Sequence, residues 1–275
     1  MIKRRKSKNV MTILLFAVGF AMCCYPIIST VIHEIKQKKV IDTYEEMVEK
    51  TQEYDIETEF DLAEEYNKSL YKMQNHLLED SDMKILNEDH YSELLNIWGN
   101  GMMGSIEIPK INVYLPVYHG ADEAVLSNNI GHMEGSSLPV GGENTRCILT
   151  GHRGMPNAKL FTRLDEMEES DLFYVHIFDW ILAYQVISID VIKPEETDAL
   201  GIISGKDLVS LVTCTPYGIN THRLVVTGER VAYKQVAYDE IETKNMSFRE
   251  WRYVCIPLVA VVFVVLEVIK NRKRR

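Results

Sequence analysis

Cysteine is scarce: five among 275 residues, and three of them, Cys23, Cys24 and Cys255, fall inside long apolar runs. Only Cys147 and Cys214 remain, too few for a disulfide-built scaffold. Positive charge is short as well, with 30 Lys and Arg against 40 Asp and Glu for a formal net charge of −10. That balance argues against a nucleic-acid partner. No internal repeat and no low-complexity tract occurs, which removes solenoids and repetitive linkers from consideration. The carboxylates of the first quarter, among them Glu45, Glu46, Glu49, Glu53, Glu57, Glu59, Glu64 and Glu65, read as a solvated face. No metal and no cofactor is expected.

What is present is unevenly spread. Lys3, Arg4, Arg5, Lys6 and Lys8 open the chain, and Lys270, Arg272, Lys273, Arg274 and Arg275 close it. Residues 10–32 carry no charge and are long enough to cross about 30 Å of hydrocarbon as a helix, with Pro26 a bend that a membrane helix tolerates. A cleaved signal peptide has a shorter apolar core and a small-residue cleavage site, so an uncleaved anchor is the reading. Residues 253–269 form a second apolar run, and the basic tail behind them reads as a cytoplasmic stop. Both termini are then inside and the middle of the chain outside.

The whole chain, 275 residues with 46% hydrophobic content, allows one domain with appendages. Residues 33–100 are helical in pattern, since Leu62, Tyr66, Leu70, Met73 and Leu77 recur at three and four residues, with Asp61 as a candidate start. At Gly99, Gly101 and Gly104 the character changes to a linker. Strands are then expected at 105–108, 113–118, 146–150, 172–178, 181–191, 208–213 and 223–233, with turn residues between them. This pattern suits a mainly β barrel or sandwich, and a closed barrel leaves few exposed edges.

The stretch LVTCTPYGINTHR, residues 211–223, carries the chemistry. A strand ends at Cys214, a turn rich in Pro, Gly and Asn follows, and a second strand begins at once. If the two pair antiparallel, Cys214 and Arg223 meet. A guanidinium beside a thiol favours the thiolate or stabilises the oxyanion formed when it attacks a carbonyl. Of eight histidines, His152 in CILTGHRG is the best placed proton carrier, at a strand end beside a permissive turn. His119 and His132 sit in Gly-containing turns and read as surface residues, and His222 faces away from the side that Arg223 takes. Cys147 lies five residues before His152, about 16 Å along an extended strand at roughly 3.3 Å per residue. It reads as a buried strand residue and not as a bridge partner for Cys214.

TCTPYGINTHR resembles the thiol signature and following arginine of sortases, and GHRG resembles their catalytic histidine segment. IEIPKINVYLPVYHG, GHMEGSSLPVGG, TGHRGMP, FTRLDEME and TCTPYGINTHRLVVTGER, in this order over residues 104–230, resemble the pilin-polymerising class C sortases. The resemblance implies a sortase-type closed β-barrel of about eight strands at 101–235, preceded by the helical region and flanked by a transmembrane helix at each end. It implies a membrane-anchored cysteine transpeptidase with Cys214 as nucleophile, His152 as acid and base and Arg223 as oxyanion stabiliser. Thr213, Thr215 and Asn220 are expected in the substrate groove.

The implied donor is a pilin or surface-protein precursor bearing an LPxTG-like motif, cut between Thr and Gly. The implied acceptor is a pilin lysine, and membrane lipid is the third partner. Class C sortases commonly carry an Asp-Pro-aromatic lid over the thiol. This chain has Glu79, Asp80, Ser81, Asp82 and Met83 there instead, leaving Asp80 or Asp82 to pair with Arg223. Attachment of surface proteins to peptidoglycan, an inactive pilus scaffold and a papain-like hydrolase are the alternatives, although the last expects its nucleophile on a helix N-terminus.

Overall fold

In a computed structural model the described residues are 2–155, 158–241, 251, 255, 259, 261 and 262, with backbone alone for 2–15, 23, 80, 88 and 89. Contacts divide the chain into a unit Ile35–Asn245 and a unit of Met1–Glu34 with Met246–Arg275. The candidate site lies wholly within the first.

Four helices precede the barrel: α1 (Ile2–Lys50), α2 (Glu53–Gln74), α3 (Asp80–Ile85) and α4 (Glu88–Glu93). Within Phe16–Lys50, α1 contains an 18-residue window of mean hydropathy 1.7, long and apolar enough to cross a membrane. The second expected span, 253–269, lies largely outside the described residues. The C-terminal part of α1 buries Ile41, Tyr44 and Val48 in the main core. The Tyr44 hydroxyl donates to Met103 O (2.9 Å) and accepts from Phe178 N (3.1 Å), which fastens the helix to the barrel.

Helix α2 begins at Glu53, with Glu53 and Asp55 in its first turn, where acidic side chains favour the positive end of the helix dipole. Asp61 therefore lies inside the helix and does not start it. The apolar stripe continues upstream through Ile56 and Phe60 to Tyr66 and Leu70, all buried, while Met73 and Leu77 are exposed. Asn67 completes the attachment, accepting from Leu138 N (2.7 Å) and donating to Leu138 O (3.1 Å).

Eight strands follow: β1 (Met102–Ile108), β2 (Val113–His119), then, after the short helix α5 (Glu123–Leu126), β3 (Ile130–His132), β4 (Thr145–Thr150), β5 (Leu172–Ile177), β6 (Trp180–Ile192), β7 (Asp207–Thr215) and β8 (His222–Val231). Helix α6 (Gln235–Asp239) follows β8, and the eight strands pair in one sheet. They close into a barrel in the order β1-β2-β3-β4-β7-β8-β6-β5. Two departures from the sequence reading have steric causes. Gly104 belongs to β1 and not to a linker, because a Cβ there would stand 2.2 Å from His176 O on the neighbouring β5. The eighth strand, β3, is three residues long, too short for alternation to register, and its Gly131 approaches Gly120 O where a Cβ would stand at 2.3 Å.

The lumen is filled by inward residues such as Ile106, Val117, Leu149, Phe173, Val175, Leu211 and Val226. On the opposite face of β4, β7 and β8, Ile148, Val212 and Val225 form a separate small cluster. Side chains alternate along a strand, so Cys214 and Arg223, two residues further along β7 and β8, continue that outer face.

Candidate active site

The pairing of β7 with β8 is antiparallel, and its register sets Val212 against Val225, Cys214 against Arg223 and Thr215 against His222. Thiol and guanidinium are thus cross-strand neighbours, as the turn chemistry predicts. The connection closes with Ile219 N and Asn220 N both donating to Pro216 O (3.0 Å each). Gly218 and Asn220 take positive φ there, 78° and 62°, backbone conformations suited to those two residue types.

His152 is carried in by the parallel pairing of β4 with β7, where Thr150 lies against Val212. The pairing runs past the end of β4: Gly151 N donates to Val212 O (3.1 Å) and the Thr213 hydroxyl donates to Gly151 O (2.7 Å). Two residues beyond Thr150, His152 is therefore level with Cys214, two residues beyond Val212. Its Nε2 stands 3.3 Å from Glu123 Oε2, a carboxylate at the start of α5 that is 80% exposed. Cys214 is half-buried and free, whereas Cys147 is buried and free, and burial pushes its thiol well up.

Arg223 donates through Nη1 to His222 O (3.2 Å) and more weakly towards Asn220 O (3.5 Å). Among the described residues no carboxylate pairs with it. Asp82 is buried and engaged elsewhere: it accepts from Lys72 Nζ (2.9 Å), Ser69 Oγ (3.1 Å) and Glu79 N (2.9 Å). The Glu79 amide and then the Lys72 ammonium hold its carboxyl below the usual range. The Asp80 side chain lies outside the described part of the structure. Of the expected groove residues, Thr213 points away to Gly151 O, Thr215 accepts from Arg153 Nη1 (3.3 Å), and Asn220 offers its carbonyl towards Arg223.

His119 and His132 are not surface residues. Both His119 nitrogens face carbonyls, of Gly101 (3.0 Å) and Leu94 (2.8 Å), and His132 is fully buried between Tyr91 Oη (2.9 Å) and Ser137 O (2.9 Å). Burial holds the His132 imidazole down to about 4, so it stays neutral as a structural link.

Beside the site runs a cavity of about 420 Å³ that continues the outer face. Its floor includes Thr150, Val212 and Arg223, one wall is the β6–β7 connection with Pro194 and Leu200, and Leu70, Met73 and Gln74 of α2 supply another. Two groups that the sequence did not single out fix these walls. Arg146, buried, donates to Ser210 Oγ (2.9 Å), Thr227 Oγ1 (3.2 Å), Ala199 O (2.8 Å) and Gly201 O (3.2 Å), tying the connection to the barrel. The Gln74 amide pairs with the backbone of Ile202, donating to its carbonyl (2.8 Å) and accepting from its N–H (2.7 Å).

A closed barrel that sets a half-buried thiol against a guanidinium across β7 and β8, beside a groove lined by Val212 and Arg223, fits the class of thiol-dependent barrel enzymes. Comparison with known proteins is more specific. The sortase domain model matches residues 106–231. Sortase D of Bacillus subtilis is 30% identical over 131 residues, 46% of this chain and 63% of that protein, so the match spans less than two thirds of the relative. Sortase C of Clostridium perfringens superposes with a TM-score of 0.61 at 40% identity, covering 71% of this chain and 99% of that one. Sortase C of Streptococcus pneumoniae does so with 0.59 at 36% identity, covering 71% and 97%. The chain belongs to the sortase family of cysteine transpeptidases, and these structural neighbours are sortases of class C.

Proposed function

We propose that the chain is a pilin-joining transpeptidase. Cys214, as thiolate, attacks the Thr carbonyl of an LPxTG-like sorting signal, and a thioacyl enzyme forms as the Thr–Gly bond breaks. His152 protonates the departing Gly amine and later takes a proton from the incoming one. Arg223 donates to the tetrahedral oxyanion from the adjacent strand. The acceptor is a lysine amine of another pilin subunit, so the product is an isopeptide bond. No nucleotide is consumed, because the thioester retains the reactivity of the acyl group.

The observation that carries this reading is the Cys214–Arg223 cross-strand pair, with His152 following two residues after the end of the neighbouring parallel strand β4. Support for the donor comes from the Clostridium perfringens sortase C, solved with the C-terminal cell wall sorting motif. Support for the acceptor class comes from the pneumococcal sortase C, whose structure bears on pilin substrate specificity. The cavity between Pro194, Leu200, Val212 and Leu70 offers apolar surface for the Leu and Pro of such a motif.

In this reading residues 1–9 are a cytoplasmic basic segment, 10–32 the anchor, 33–100 the helical region and 101–235 the catalytic barrel. Residues 236–252 then lie beside the membrane, 253–269 cross it and 270–275 form a cytoplasmic tail. The anchors hold the barrel outside the cell, where pilin precursors are also tethered. The test is incubation with an LPxTG-type peptide and a lysine-bearing pilin fragment. An amide product lacking the Gly residue is expected. Acid product in the presence of abundant amine marks a hydrolase, and intact peptide throughout marks a scaffold.

A further inference from the structure

We propose that Arg153, the residue after His152, is a positioning residue that clamps the histidine loop to the turn that follows the nucleophile. Only 9% of Arg153 is exposed, and three segments converge on it. Its Nη2 forms an ion pair with Asp165 Oδ2 (2.5 Å), before β5. Its Nη1 donates to Thr215 Oγ1 (3.3 Å), one residue past Cys214. Its Cζ lies 5.7 Å from the centre of the Tyr217 ring, in the β7–β8 turn. Tyr217 also covers Gly154, where φ is +81° and a Cβ would stand 3.1 Å from the ring.

Each contact uses a different property of the guanidinium: the charge, the fork and the flat cationic face. The Nε of Arg153 is buried with no hydrogen-bond partner among the described residues. An unsatisfied buried donor is costly, so a side chain chosen for packing alone would do better without it. The arrangement fits a requirement of geometry. Gly151 and Thr213 fix the backbone on one side of His152, and Arg153 fixes the other side to the turn bearing Thr215 and Tyr217. Imidazole and thiol then keep one separation while the acyl group and two different amines come and go.

This rests on the transpeptidase reading, and its tests are chosen to separate the two. In the full-length enzyme, Arg153→Met lowers kcat per titrated active site on the order of 10- to 100-fold, the scale of a displacement near 1 Å. KM for an LPxTG-type peptide stays within about threefold of wild type, as expected when only the transition-state geometry is disturbed. Arg153→Lys, which keeps the pair with Asp165 and loses the fork, recovers part of kcat. Alkylation of Cys214 by iodoacetamide stays within about twofold, because the thiol itself is intact, on the scale of a modest local change. Hydrogen exchange gives an activity-independent arm: amides of 151–155 and of 217–220 speed up together in Arg153→Met.

An unchanged kcat per titrated site, a loss carried by KM, or exchange that leaves the 217–220 turn untouched overturns the clamp. If Arg153→Met shows the coupled exchange but wild type forms no thioester with the peptide, the transpeptidase reading fails and the clamp stands. If Arg153→Met does not fold, Tyr217→Leu and Thr215→Val each remove one contact. Unchanged kcat in both then overturns the proposal.

Discussion

Replacing Arg146 by Met tests how the groove is held. The guanidinium reaches from β4 to two carbonyls of the β6–β7 connection, Ala199 and Gly201, and to the hydroxyls of Ser210 and Thr227. The hydroxyls lie 3.2 Å apart and satisfy each other once the arginine is gone. The carbonyls sit at a partly exposed surface and regain water. What is lost is the charged donor bridging loop to barrel, and hydrogen bonds of that kind contribute ~1.5–3 kcal/mol. A loss of about 2 kcal/mol multiplies the open population of the loop roughly 30-fold. It lowers the melting midpoint by about 4–8 °C for a domain of this size.

Hydrogen exchange read by mass spectrometry is the assay, with amides of 197–202 exchanging about 30-fold faster in Arg146→Met. KM for the sorting peptide rises in step while alkylation of Cys214 does not change. Unaltered exchange in 197–202, or a loss confined to kcat, refutes the argument that Arg146 acts by shaping the groove wall.

Further outcomes follow from the same geometry. Gln74→Ala removes two hydrogen bonds between α2 and Ile202, each contributing about 1 kcal/mol, and raises KM without lowering kcat; peptide-concentration series separate the two. Arg223→Lys keeps the charge and loses the planar donor fork, so kcat/KM falls on the order of 100-fold; full activity removes the oxyanion role. Glu123→Gln changes turnover less than about fivefold, since an exposed pair contributes about 1 kcal/mol at most; a loss of several orders of magnitude makes Glu123 a working third member.

His132 titrates near 4 in the fold and near 6.5 when unfolded. Between those values the unfolded chain binds the extra proton, so stability is full above about pH 6.5 and falls by about 3 kcal/mol towards pH 4. His132→Gln, which retains a donor and an acceptor, flattens that part of a denaturation-against-pH series.

Much of the site was legible because it depends on local rules. A strand, a turn of Pro, Gly and Asn, and a second strand suffice to place Cys214 against Arg223, and the register obeys that arithmetic. Seven strands were visible as apolar runs. The eighth, Ile130–His132, was not, because three residues hold no period and its pairing depends on Gly131 approaching Gly120. The histidines misled for a related reason. Gly-containing turns usually lie at the surface, but Tyr91 and Leu94 from the helical region cover His119 and His132, and no local pattern announces a contact between distant segments. Arg146 and Gln74 were hidden in the same way, each holding a loop more than fifty residues away in sequence. Arg153 left one trace, a cation set between His152 and Gly154, with no sign of what it would touch.

The most direct test is to mix the enzyme with an LPxTG-type peptide, quench in acid and map the covalent mass by peptide sequencing. An acyl adduct ending at the Thr residue, found on Cys214 in wild type and absent in Cys214→Ala, is the predicted result. An adduct on another side chain, or transfer that survives in Cys214→Ala, contradicts it.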